Sequence, residues 1–330
     1  MTDTRALVLF DCPFLPEFQT LFQNHVRCVF LTELLSKDAD EIVTADVQSV
    51  LANDISLRSE CVAVVSVRHV PFGVELEVLS NLRVVSNHGV GYGHIDAAYL
   101  QNRGVSLGFT PQVPSSCTAE LGAALILASA RNIVTSVRRA TSPDTTRFDP
   151  DMYGRRVAGA TLGIIGFGAM GQALATYMRG FEMEMLYWSR TRKATETVLR
   201  VCWCGLDEVL SRSDFVVLCI ASSPESRGMM GAEQFRKMKD SATLVNLSRG
   251  DIIIQDELVT ALESGTIAGA ALDVTSPEPL PRDHPLLRME NVLITPHSGS
   301  ATKGDRRRMA EMCLQNLLAG LRGEALPFPV

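Results

Sequence analysis

The 330-residue chain has no apolar run long enough to span a bilayer. Its longest helical one, Leu121 to Ala130, is bounded by Glu120 and Arg131 and falls well short of the ~20 residues a membrane helix needs. A secretory start is also missing, because MTDTRALVLFDCPFLP carries Asp3, a short apolar run and an early Pro13. Basic residues do not dominate. With 31 Lys and Arg against 37 Asp and Glu, the formal charge of -6 gives no general attraction to nucleic acid or to an anionic membrane surface. Eight cysteines scattered through a chain without an export signal read as reduced thiols, not as a disulfide framework. Cys202 and Cys204 flank Trp203 with no second ligand pair nearby, which argues for strand residues and against a metal site. No GxSxG elbow, HExxH zinc motif or GxxxxGK[ST] loop occurs, and hydrolase and phosphate-transfer chemistry lose their usual signatures. Internal repeats and low-complexity tracts are absent as well. These absences leave a cytoplasmic protein that takes a small, neutral or anionic ligand, with no nucleic-acid or membrane partner.

What is present is an α/β pattern. Short apolar runs ALVLF (6–10), CVAVVSV (61–67), LRVVSNHGVG (82–91) and VSLGFT (105–110) alternate with helix-compatible segments. A second series follows: TLGIIGFG (161–168), MEMLYW (183–188), DFVVLCI (214–220), ATLVNLS (242–248), IAGAALDV (267–274) and NVLITP (291–296). These runs are rich in Val, Ile and Leu and lack strict alternation, as buried parallel strands do. The expected fold is two Rossmann-like, doubly wound parallel-sheet domains with a cleft between them. Residues 116–140 read as one long helix without internal proline that crosses from one domain to the other. Residues 141–159, with Pro143 and Pro150, read as a surface connection. The terminal segment 303–321 places Met309, Met312, Cys313 and Leu317 on one helical face. RRR at 306–308 on that helix reads as a solvated face, not as a nuclear address.

Gly166, Gly168 and Gly171 form GFGAMG between an apolar strand and a helical pattern, the context of a dinucleotide-binding fingerprint. The glycines permit a tight turn and close backbone approach to a pyrophosphate, and Ala169 and Met170 open the helix whose N-terminal amides face it. A cofactor that is NAD would then need an acid at the end of the second strand, about 20 residues on. YWSRTRK (187–193) offers Ser189, Arg190, Thr191, Arg192 and Lys193 instead. A guanidinium and hydroxyls suit a 2′-phosphate, so NADP(H) is the expected cofactor, with NAD(H) possible; the bland alternative is a solvated loop.

Three charged groups follow successive strands: Arg249 after ATLVNLS, Glu278 in the loop after AALDV, and His297 after NVLITP. Loops at the carboxyl ends of parallel strands converge on one crevice. The trio suits reduction of a 2-oxo acid, with His297 giving a proton to the developing alkoxide, Glu278 favouring and orienting the imidazolium, and Arg249 holding the carboxylate.

Residues 82–302 resemble the D-isomer-specific 2-hydroxyacid dehydrogenase family, through HGVGYGHID (88–96), TAELGAALILASAR (118–131), TLGIIGFGAMGQALA (161–175), LVNLSRGDIIIQDELVTALESGTIAGAALDVTSPEPLP (244–281) and TPHSGSAT (295–302). The subgroup they are most similar to contains glyoxylate/hydroxypyruvate reductases and 2-ketogluconate reductases. The resemblance implies a discontinuous substrate domain, 1–115 plus 300–330, and a dinucleotide domain, 116–299. It implies a homodimer formed with help from the helix at 116. It further implies that Val90 and Gly91 amides hold the substrate carboxylate, that Thr118 and Gly299 lie at the cofactor, and that Asp273 meets the nicotinamide carboxamide. Relatives often carry Asp then Asn where Gly93 and His94 stand. His94, with no carboxylate partner evident in the sequence, is given no catalytic part. The tryptophan that some hydroxypyruvate-active relatives carry near 141–155 is missing. A corepressor of the same fold, sensing NAD(H) with little turnover, is the alternative from another functional class.

Overall fold

The structure, a computed structural model, describes residues 4–111, 113–145, 147 and 153–330. The chain divides into two compact units, Met1–Pro114 with Thr302–Val330, and Ser115–Ala301.

The first unit is built on a parallel sheet of β1 (Leu7–Phe10), β2 (Arg27–Phe30), β3 (Cys61–Ser66), β4 (Val84–Asn87) and β5 (Ser106–Gly108), in the order β2-β1-β3-β4-β5. β1, β3 and β4 are buried along nearly their whole length, which is why they read as continuous Val and Leu runs. β2 escapes such a reading because it is a half-exposed edge strand of four residues. Apolar layers cover both faces, one of them closed by the helix Lys303–Arg322. That helix buries Met309, Ala310, Cys313, Asn316, Leu317 and Gly320, whereas Met312, expected on the same face, is only half buried. Gly320 is required by contact, since a Cβ there would lie 2.5 Å from Cβ of Val84. Beyond the helix the chain returns to the sheet: the Val330 amide donates to the Leu107 carbonyl (3.0 Å), the Phe109 amide donates to the Phe328 carbonyl (3.1 Å), and Gly108 and Pro329 form an antiparallel bridge.

The second unit carries seven parallel strands, β6 (Thr161–Ile165), β7 (Glu184–Trp188), β8 (Cys202–Trp203), β9 (Phe215–Leu218), β10 (Thr243–Asn246), β11 (Gly269–Leu272) and β12 (Val292–Ile294). Their order, β12-β11-β10-β9-β6-β7-β8, reverses direction between β6 and β9, which is the crevice where doubly wound sheets take their ligands. Cys202 lies in the short edge strand β8 and is exposed; Cys204, just beyond it, is buried. Among the described residues no three His, Cys, Asp or Glu side chains are grouped to hold a metal ion, and no single helix is long and apolar enough to cross a membrane.

The long helix expected over 116–140 is instead two, Val113–Ala130 and Ile133–Ala140, bent by 59°. The break falls at Asn132, which stands at φ 49°. Asparagine enters the left-handed region at low cost, so a helix can end there with no proline or glycine. Part of the 141–159 connection, residues 146 and 148–152 with Pro150, lies outside the described residues, as does Met1–Asp3 of the N-terminal stretch.

Replacing Gly320 by Val inserts a branched side chain into the contact with Val84 and is expected to lower the unfolding free energy by about 1–3 kcal/mol. Urea denaturation measures it, and an unchanged midpoint would mean the helix does not seat on β4 as described.

Candidate active site

At the end of β6 the chain turns through Gly166 at φ 97°, a conformation L side chains rarely take, and its amide donates to the Trp188 carbonyl (2.8 Å). A Cβ on Gly166 would meet the Cys219 backbone at 2.6 Å, and one on Gly171 would meet the Gly166 carbonyl at 2.4 Å, so strand and helix are in backbone contact. Gly168 has open space around it instead. The helix Ala169–Met178 starts at Gly168 with no side-chain cap, which leaves the amides of Ala169 and Met170 to be satisfied from outside. An open glycine edge beside an uncapped helix start is what a pyrophosphate fits.

After β7 the basic segment is organised by its own contacts. Ser189 Oγ donates to the Thr191 carbonyl (2.7 Å), and Trp203 Nε1 donates to the Ser189 carbonyl (3.2 Å). The buried Tyr187 hydroxyl accepts from the Lys193 amide (2.9 Å) and donates to Glu196 (3.0 Å). Arg192, grouped in the sequence with Arg190, is held by Glu196 instead, through Nε at 2.7 Å and a terminal nitrogen at 2.5 Å. Arg190 is exposed and has no hydrogen bond or ion pair among the described residues. The charge available to an incoming anion is therefore centred on Arg190, with Lys193, which reaches Thr191 Oγ1 at 3.3 Å, beside it. The Arg192–Glu196 pair was readable from its i,i+4 spacing.

Arg249 leaves β10 on a fixed turn. The buried Asn246 donates to the Arg249 carbonyl (2.9 Å) and accepts from the Ser248 amide (3.0 Å), and Ser248 Oγ donates to the Leu218 carbonyl (2.8 Å). Gly250 follows so closely against Thr275 that any Cβ would fall 1.9 Å from the Thr275 carbonyl oxygen, locking this turn to the loop after β11. In that loop Glu278 accepts from the Thr275 amide (3.3 Å), between two cis peptide bonds, Ser276–Pro277 and Glu278–Pro279. Its other oxygen meets His297 Nδ1 at 2.5 Å. Burial pushes the Glu278 carboxyl up, but the hydrogen bond and charge of His297, the Thr275 amide and the Arg249 guanidinium outweigh it, and the group titrates below the ordinary glutamate range. With Nδ1 donating to the carboxylate, Nε2 is the nitrogen that faces away from Glu278.

His297 stands at φ 50° and is held there by Asp273. The Asp273 carbonyl accepts the His297 amide (2.9 Å), while its buried carboxylate accepts from Thr295 Oγ1 (2.6 Å), the Ser298 amide (2.8 Å) and the Gly299 amide (2.9 Å). Thr118 closes the same corner, since a Cβ on Gly299 would lie 2.8 Å from its Oγ1. Arg249, Glu278, His297, Asp273, Gly299 and Thr118 thus share the second unit with the glycine turn. Val90 and Gly91 belong to the first, where Asn87 Nδ2 shapes their turn by donating to the Gly89 (3.0 Å) and Gly91 (3.1 Å) carbonyls. The supporting roles of Asn246, Ser248, Tyr187 and Glu196 were not anticipated.

A sequence profile described as "D-isomer specific 2-hydroxyacid dehydrogenase, NAD binding domain" matches residues 123–299. The chain is 39% identical over 251 residues to human glyoxylate reductase/hydroxypyruvate reductase, covering 75% of this chain and 76% of that protein. It is 42% identical over 272 residues to the glyoxylate reductase of Korarchaeum cryptofilum, covering 81% and 82%. Among solved structures, the 2-hydroxyacid dehydrogenase of Ketogulonicigenium vulgare Y25 superposes with a TM-score of 0.85 at 26% identity, covering 100% of this chain and 99% of that one.

Because folding depresses the Glu278 carboxyl, its pairing contributes stability above the ordinary value of 4.5 and loses it as pH falls through the lower folded value. The Tm gap between wild type and Glu278→Gln is expected to be full at neutral pH and to close in acid. A gap that persists to about pH 2 would show that the carboxylate's ionisation contributes nothing.

Proposed function

The chain belongs to the D-isomer-specific 2-hydroxyacid dehydrogenase family and is a nicotinamide-dependent oxidoreductase, and on that premise we propose that it reduces small 2-oxo acids to D-2-hydroxy acids with NADPH preferred. Glyoxylate and hydroxypyruvate are the first candidate substrates and 2-ketogluconate a further one. The observation that carries this reading is the 2.5 Å contact of His297 with Glu278, at the ends of successive parallel strands, with the Arg249 charge acting on the same carboxylate. The bound nicotinamide supplies the hydride.

His297 Nε2 gives a proton to the oxygen that becomes the alcohol, and takes one back in the reverse direction. Glu278 accepts from Nδ1 and fixes the orientation of the ring. Arg249 binds the substrate carboxylate with its planar donor fork and polarises the carbonyl beside it. Val90 and Gly91 amides add donors to the carboxylate. Gly166, Gly168, Ala169, Met170 and Gly171 receive the pyrophosphate, Thr118 and Gly299 lie along the cofactor, and Asp273 orients the His297 segment and meets the carboxamide. Arg190, with Ser189, Thr191 and Lys193, reads the 2′-phosphate, while Arg192 reinforces the segment through Glu196. The first unit is the substrate domain and the second the dinucleotide domain. A homodimer is supported by Ile133, Val134 and Val137, 48%, 40% and 60% exposed on one short helix. The cytoplasm is the proposed compartment.

Initial rates with NADPH and NADH against glyoxylate, hydroxypyruvate and 2-ketogluconate test this reading. Arg190→Ala is expected to erase most of the NADPH preference and Arg192→Ala to erase less; equal rates with both cofactors in the wild type would sink the 2′-phosphate reading. His297→Gln should lower kcat by about 10²–10⁴ with little change in cofactor affinity. Arg249→Lys should raise substrate KM sharply, and a wild-type KM would remove the carboxylate clamp. No turnover with either cofactor would favour the corepressor.

A further inference from the structure

Tyr187 is the largest fully buried side chain among the described residues, and its hydroxyl needs partners that an apolar core does not supply. It stands in β7 opposite Ile164 of β6. Its ring stacks on Phe167, with centroids 4.2 Å apart and planes at 27°, and Phe167 lies between Gly166 and Gly168 in the glycine turn. The same turn is joined to β7 a second time, where the Gly166 amide donates to the Trp188 carbonyl (2.8 Å). The Tyr187 hydroxyl is spent on the basic segment instead: it accepts from the Lys193 amide (2.9 Å) and donates to Glu196 Oε2 (3.0 Å). One side chain of the second unit therefore touches both segments that the proposed function gives to cofactor phosphates.

A buried phenol without partners is costly, so the hydroxyl holds the chain to the one course that brings Lys193 and Glu196 to it. Burial pushes the Tyr187 hydroxyl up, with the Lys193 amide opposing, and it keeps its proton and donates it. The chain that leaves β7 at Trp188 is thus closed back onto Tyr187 six residues later. Inside this closed loop the Ser189 hydroxyl holds the Thr191 carbonyl (2.7 Å) and Trp203 Nε1 holds the Ser189 carbonyl (3.2 Å), so Arg190 is exposed between two tied residues. Glu196 accepts from Tyr187 on one oxygen and from Arg192 on the other. The Arg192 hydrogen bond holds its carboxyl below the ordinary glutamate range, and it is ionised at neutral pH. Counted as a charge, Glu196 opposes an incoming phosphate; counted as an anchor, it supports one. The two descriptions predict opposite signs for its removal.

We propose that Tyr187 and Glu196 are positioning residues for cofactor selection, setting the basic segment at a fixed offset from the glycine turn so that Arg190 meets a 2′-phosphate when the pyrophosphate is seated. The inference rests on the NADPH reading and deepens it. Tyr187 acts through two separable parts. The hydroxyl bears on the segment that only a 2′-phosphate uses, whereas the ring, through Phe167, bears on the turn that NADPH and NADH share. Deleting the hydroxyl and deleting the ring therefore leave different signatures.

Calorimetric titration with adenosine 2′,5′-bisphosphate and with AMP, alongside KM for NADPH and NADH, tests this in the wild type, Tyr187→Phe, Tyr187→Leu and Glu196→Ala. The bisphosphate is AMP with a 2′-phosphate added, so the ratio of the two Kd values isolates what the basic segment contributes. Tyr187→Phe, which keeps the ring, is expected to shrink that ratio by about three- to tenfold and to raise the NADPH KM in step, with AMP binding and the NADH KM unchanged. Tyr187→Leu should weaken both ligands, because Phe167 loses its stacking partner. Glu196→Ala should shrink the ratio although it removes a negative charge; a ratio that rises overturns the anchoring role. Equal weakening of both ligands by Tyr187→Phe is what a merely structural hydroxyl gives, and it also overturns the proposal. Glu196→Ala changes a side chain of the surface segment and keeps the comparison decisive if a Tyr187 variant fails to fold. A wild type that binds the bisphosphate no better than AMP overturns the NADPH reading and this inference with it. A wild-type preference that neither Tyr187→Phe nor Glu196→Ala moves overturns the inference alone.

Discussion

Asp273 sits just past β11 with 2% of its surface exposed, and a carboxylate so placed is tolerated only while donors surround it. Those donors, Thr295, Ser298 and Gly299, all come from the segment that carries His297. The segment cannot drift without stripping a buried charge of its partners. His297 is meanwhile held at a left-handed φ of 50°, which costs a non-glycine residue about 1–2 kcal/mol, and the donors around Asp273 offset it. The 2.5 Å contact with Glu278 follows from where that segment is tied.

The same logic extends to Arg249. Its turn is bound from behind by Asn246 and Ser248 and from the side by the approach of Gly250 to Thr275. Thr275 also donates to Glu278. His297, Glu278 and Arg249 are therefore placed by one set of close contacts, built where β10, β11 and β12 end. The parallel register supplies the convergence and the close approaches supply the precision. The glycine turn after β6 uses a different device, backbone touching backbone, and leaves an open edge.

Much of this was legible in the sequence because buried parallel strands announce themselves as unbroken Val, Ile and Leu runs and because functional groups fall just past them. The glycine fingerprint and the trio are local to such strand ends. Legibility failed where the determining contact is distant or the signal short. β2 and β8 are edge strands of four and two residues, below the length at which periodicity speaks. The break at Asn132 depends on one residue entering a conformation many asparagines never take. The Asp11–Ser66–His94 chain joins residues 55 and 28 positions apart, so no spacing rule reveals it. Arg192 is the converse case, since its partner Glu196 lay one helical turn away in plain view.

The returning tail of the first unit has a consequence for solubility. β5 would otherwise end its sheet as a bare row of amides and carbonyls, a template on which a strand from another molecule can add. Phe328 and Val330 occupy two of those positions, and Pro329, which has no amide hydrogen, sits between them and offers no donor for a further strand. The tail thereby closes that edge of the sheet to the addition of a further strand.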